Sequence, residues 1–133
     1  MMPRNDKLLI ISGSRDWTDE GPIRELLLWF DPYWTLVIHG KCRGADMIAD
    51  RVAKELGFAV VAYPADWKRH NFGAGPIRNR EMAVVGLTHQ RYGIQVHAGI
   101  FPLPQSVGTI GMLELCRLGG FEIYLPASCK AYL

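Results

Sequence analysis

The chain is short of cysteine, of long apolar runs and of excess charge, and each shortage closes off a class of function. Its three cysteines, Cys42, Cys116 and Cys129, are odd in number and widely spaced, with no Cys-x-x-Cys pair. That argues against a disulfide framework and fits free thiols in a reducing cytosol. No apolar run reaches the roughly 18 residues needed to cross a bilayer. The opening Met-Met-Pro-Arg-Asn-Asp-Lys lacks the apolar core of a signal peptide. A cytoplasmic protein with no membrane partner is expected. The formal net charge of +2 lacks the footprint of a general nucleic-acid binder, so a nucleic-acid partner is not expected. His39, His70, His89 and His97 show no metal-ligand spacing, and no metal is expected. Gly-x-Ser-x-Gly is absent, and Gly40-x-x-x-Gly44-Ala45-Asp46 lacks the Gly-Lys-[Ser/Thr] of a P-loop.

What is present is a core and an alternating pattern. With 133 residues and 49% hydrophobic content, the chain suits one domain, 1–133, that buries a real core. Apolar runs at 7–12, 34–39, 58–63, 94–101 and 121–125 read as strands. Helical periods separate them. The first follows Thr18 or Asp19 as cap, carries Ile23, Leu26, Leu27 and Phe30, and ends at Pro32. The second buries Ala45, Ile48, Ala49, Val52 and Leu56 and stops at Gly57. The third begins near Pro76 or Ile77 and stops near Gly86, and the fourth turns Ile110, Leu113 and Cys116 inward and closes at Gly119-Gly120. The tail from about residue 126 reads as peripheral. Alternation of this kind specifies an α/β fold, a three-layer Rossmann-like domain with a five-stranded, mostly parallel sheet. Right-handed crossovers favour the order 3-2-1-4-5. Ligands of such sheets sit outside the carboxyl ends of the strands where the connections reverse, here between strands one and four.

Three glycine-containing loops reach that end: Gly13-Ser14-Arg15-Asp16, Gly40 to Asp46, and Ser106-Val107-Gly108-Thr109. Each leads into a helix N-terminus, which offers N–H groups and partial positive charge to an anion. A fourth segment, 65–82, crowds four cations, two aromatics and two glycines where no hydrophobic face fits. Arginines match phosphate in a planar, two-pronged way, and Trp67 can stack on a base. Simpler roles fit some of the same residues. Gly13-Ser14-Arg15 suits a tight turn, Thr109 a cap, Asp46 a first helical turn that favours any Asp, and the loop cations could pair with one another. Cys42, between Lys41 and Arg43, stands where neighbouring cations would favour a thiolate.

Taken in order, these motifs resemble the SLOG superfamily in its YspA-like branch. The resemblance runs from about Leu8 to Tyr124. It rests on Gly13-Ser14-Arg15-Asp16-Trp17, His39-Gly40 with Arg43-Gly44-Ala45-Asp46, and Pro64-Ala65-Asp66-Trp67. Gly73-x-Gly75-Pro76-Ile77-Arg78-Asn79-Arg80-Glu81-Met82 and Gly108-Thr109-x-x-Met112 complete it. It implies binding of nucleotides or their derivatives, in a sensing or ligand-capturing role. Relatives in the same superfamily include the Lonely Guy-type phosphoribohydrolases and DprA. The hydrolases carry a Gly-Gly-x-Gly-Thr-x-x-Glu loop; here Gln105-Ser106-Val107-Gly108-Thr109 replaces its glycine-rich part and Met112 stands at the catalytic Glu. Methionine can neither activate water nor stabilise an oxocarbenium ion.

The expected site therefore takes a small phosphorylated nucleotide-like ligand and requires no cofactor. Gly13, Ser14, Gly44, Gly108 and Thr109 offer donors to phosphate, Arg15, Arg43 and Arg78 balance its charge, Trp67 stacks, and Asp46 or Asp66 takes ribose hydroxyls. Gly40 and Asn79 join them through the motifs above. The alternative is an N-glycosidic hydrolase acting on nucleoside monophosphates or on NAD-like and cyclic ADP-ribose-like molecules, with Glu81 as its carboxylate. A first helix made apolar nearly all round by Leu27-Leu28-Trp29-Phe30 points to a homodimer or higher homo-oligomer.

Overall fold

The computed structural model describes residues 6–132, with side chains as far as Cys129. Five strands form one sheet: β1 (Lys7–Gly13), β2 (Thr35–His39), β3 (Ala59–Ala62), β4 (Gln95–Phe101) and β5 (Glu122–Tyr124). Their order is β3-β2-β1-β4-β5, and every pair is parallel. Ile10 of β1 lies between Ile38 of β2 and Ala98 of β4.

Residues 8–11 are fully buried because β1 is covered on both faces, which is why its sequence is continuously apolar rather than alternating. Leu9 and Ile11 pack with helices α1 (Glu20–Leu27) and α2 (Ala45–Glu55); Leu8 and Ile10 pack with α4 (Ala74–Arg91) and α5 (Val107–Leu118). Three layers result. Asp19 caps α1 by accepting the Gly21 N–H at 2.9 Å, and Pro22 falls in the first turn, where its missing donor costs nothing. Glu20, Arg24, Arg51 and Glu55 tie α1 to α2 in a closed ring of ion pairs.

Several boundaries differ from the sequence reading. Helix α1 ends at Leu27, so Leu28 and Trp29 lie beyond it, while Phe30 turns back to meet His97 edge-on at 5.1 Å. The polar stretch after Pro64 is largely helical. Helix α3 (Trp67–His70) is capped by Asp66, a 3-10 turn (Asn71–Gly73) follows, and α4 starts at Ala74 rather than Pro76. Nor does α4 stop at Gly86. That glycine lies against the Phe121 ring, and a Cβ there would stand 2.5 Å from its Cζ. The helix runs on to Arg91, and Gly93, at φ +81°, makes the turn that ends it. On α5, Met112 is buried and Ile110 only half-buried. The tail is not peripheral throughout: Cys129 is buried in the cluster holding Trp17 and Phe101, its Sγ 3.5 Å from the Pro102 carbonyl. No helix among the described residues is long and apolar enough to cross a membrane.

Candidate functional site

A crevice of about 510 Å³ opens where β1, β2 and β4 end, at the reversal between β1 and β4. The loops after β1 and β2 form one wall. The loop after β4 and the start of α5 form the other, and α3 with the first turns of α4 closes the side.

Gly13 ends β1. A Cβ there would overlap the Ala45 Cβ, so this glycine lets α2 approach the sheet. Ser14 is spent mostly on the fold: its N–H donates to the Phe101 carbonyl at 2.9 Å and its carbonyl accepts from Trp17 and Ala45. Its Oγ accepts the Asp16 N–H at 3.1 Å, which leaves the hydroxyl proton and one lone pair for an occupant. Arg15 lies over Trp67, its Cζ 5.1 Å from the ring centroid. Arg43 and Asp16 pair at 3.5 Å and are largely exposed.

The second loop is folded around a carboxylate. Asp46 is 4% exposed, and its Oδ2 accepts the Gly40 N–H at 3.1 Å and the Cys42 N–H at 3.2 Å. Burial pushes this carboxyl above the usual carboxylate range; the Cys42 and Gly40 N–H bonds and the charges of His39 and Arg78 pull it partly back. Its Oδ1 has no partner among the described residues. Gly44, at φ +80°, starts α2 where any side chain would overlap the Ser14 carbonyl.

Arg78 is buried and holds four neutral acceptors. It donates to the Gly40 carbonyl, to Asn79 Oδ1 at 2.9 Å, to the Tyr63 carbonyl at 3.4 Å and to Cys42 Sγ at 3.5 Å. A side chain at Gly40 would overlap this guanidinium. Asn79 in turn donates to the Gly108 carbonyl at 3.2 Å, so adjacent residues of α4 grip both walls.

On the far wall Ser106 Oγ accepts from Leu103 N–H instead of capping α5, whose N-terminus has no side-chain cap. The N-termini of α2 and α4 also lack side-chain caps. Open helix ends of this kind attract anions. Gly108 faces open space and Thr109 is buried. Every non-glycine residue at positive φ among the described residues, Lys41, Asn71 and Gln105, lies in a segment bordering the crevice, the clustering that functional sites show.

Of the residues expected from the sequence, Gly13, Ser14, Arg15, Arg43, Asp46, Trp67, Arg78, Asn79, Gly108 and Thr109 line this one crevice. Gly40 and Gly44 stand behind its wall, and Asp66, exposed, is occupied as the cap of α3. Glu81 is exposed on α4 and does not line the crevice, because Arg78, Asn79 and Met82 take the inward side of that helix. The carboxylates bordering the cavity are Asp16 and Asp46, against three arginines. Phe72, 98% exposed on the rim, and Met82 were not singled out in the sequence. Phe72 is placed by the turn at Asn71, for which local sequence carries no periodic signal.

A family model described as the YspA, cpYpsA-related SLOG family matches residues 8–70, which span the first two loops, Trp67 and α3. Gene 61 protein of Mycobacterium phage D29 is 41% identical over 123 residues, covering 86% of this chain and 92% of that protein.

Proposed function

The chain belongs to the YspA, cpYpsA-related SLOG family, and from that premise we propose that its crevice binds a phosphorylated nucleotide or nucleotide-derived small molecule as a ligand sensor or ligand-capturing protein. Family membership points to nucleotide-related ligand binding or to glycosidase-like roles. The observation that carries the binding reading is convergence: uncapped helix ends, three arginines and an aromatic platform border one cavity. A phosphate would sit at the N-terminus of α5, at Gly108 and Thr109, with Arg15 and Arg43 as counter-charges. Trp67 would take the base, which requires Arg15 to leave the ring face and turn toward the phosphate.

A hydrolase reading has less support. Met112 carries no carboxylate and Glu81 lies outside the crevice; of the two acids that border it, Asp16 pairs with Arg43 and Asp46 holds two backbone N–H groups.

Gly108→Asp tests the proposal cleanly. A side chain there meets nothing within 4 Å, and an acidic group suits the first turn of a helix, so the fold should be kept. In a thermal-shift screen of nucleotides and signalling dinucleotides, a true ligand at a hundredfold excess over its Kd should stabilise the wild type by about 2.7 kcal/mol. The variant should lose that shift, and an undiminished shift would place the ligand elsewhere.

A further inference from the structure

We propose that Phe72 is the second stacking wall of the crevice, so that an occupant's base is held between two aromatic rings, Trp67 and Phe72; the inference rests on the nucleotide reading above. Phe72 is 98% exposed and borders the cavity beside Trp67, itself 44% exposed. At that exposure Phe72 packs on nothing, and the fold gains nothing from its ring. Single exposed apolar side chains are ordinary on a protein surface, but two open rings on one wall of a cavity are not a scatter. One short turn places both. The Asn71 N–H donates to the Trp67 carbonyl, and Asn71 takes φ +51°, which turns the chain at Phe72.

This wall is open to a flat group. Arg15 already lays its planar guanidinium over the Trp67 ring, 5.1 Å from the centroid, so the face is within reach of an occupant once Arg15 turns away. The indole is seated on α4, where a Cβ at Gly75 would stand in contact with it at 3.6 Å. Further in, Arg78 and Asn79 are buried and bonded to each other and to both walls. The open helix end that suits a phosphate is at Gly108 on α5. What remains of a nucleotide for the exposed wall is its base, which is flat and uncharged. Stacking between two rings takes both faces of the base and the Phe72 ring out of water, and every base has such faces.

Isothermal titration with the four ribonucleoside 5′-monophosphates tests this on the wild type and on variants at one position. Phe72 carries no packing, so each variant should fold as the wild type does. For any monophosphate that binds, Phe72→Ala should weaken binding about tenfold, the scale of one stacked base. Phe72→Leu keeps apolar bulk without a ring face and should weaken it nearly as much, whereas Phe72→Tyr should stay within about twofold of the wild type. Unchanged binding by Phe72→Ala overturns this inference and leaves the nucleotide reading standing. So does a Phe72→Leu protein that binds as tightly as the wild type, because a ring face is then not what the occupant meets. Failure of every monophosphate to bind the wild type sinks both together.

Discussion

Asp46 makes a prediction about the stability of the fold. Its carboxyl is raised by burial, so the folded state holds this proton to a higher pH than the unfolded chain does. The sign follows: the group's contribution to stability is fully present below the ordinary carboxylate range and is lost as pH rises through the folded value. Asp46→Asn cannot ionise and should gain stability relative to the wild type between acid and neutral pH, measured by urea unfolding at several pH values. A constant difference would mean that the Arg78 charge and the two N–H bonds offset burial completely. At this scale the sequence was half legible. Gly13 and Gly44 stood out as glycines beside a ligand, yet their necessity is steric, one admitting Ala45 and the other the Ser14 carbonyl. Arg78 stood out as a phosphate partner, yet its guanidinium is occupied by carbonyls, an amide and a thiol that no motif announces.

Among the elements, α4 shows how a glycine misleads. Glycine after an apolar period is a stop signal when it takes positive φ, as Gly93 does. Gly86 carries no such backbone; it is a notch for Phe121, a residue 35 positions away whose approach is invisible locally. Gly86→Val should therefore overpack this contact and cost about 1–3 kcal/mol in a denaturant titration, with Phe121→Leu restoring part of the loss. If Gly86→Val were as stable as the wild type, Phe121 would have to be free to move aside. Helix α3 is illegible for the opposite reason: four residues carry no period, and only Asp66 marks where it starts. The strands were readable because burial on both faces leaves continuous apolar runs, and the cap at Asp19 and the stop at Gly57 obey local chemistry.

At the scale of the whole molecule, the order β3-β2-β1-β4-β5 follows from handed crossovers, and it brings loops separated by nearly a hundred residues to one end. The apolar surface is the second large-scale feature. Trp29 is 83% exposed and borders a groove with Leu26, Phe101, Tyr124 and Leu125. Self-association through this surface is the expected outcome, because apolar patches beside a groove are seldom left in water. Light scattering after size exclusion should report a dimer or larger species at micromolar concentration, and Trp29→Glu should return a monomer. A monomeric wild type would remove the expectation.

The bonds of Arg78 and Asn79 join the wall formed by β2 to the wall formed by α5 before anything occupies the gap. Apart from turning Arg15 off the Trp67 ring, little ordering is left for an arriving molecule to bring about, so little of its interaction energy is diverted into shaping its host. Its capture should be governed by encounter and by the pull of the arginines, with dwell time rather than rearrangement separating good guests from poor ones.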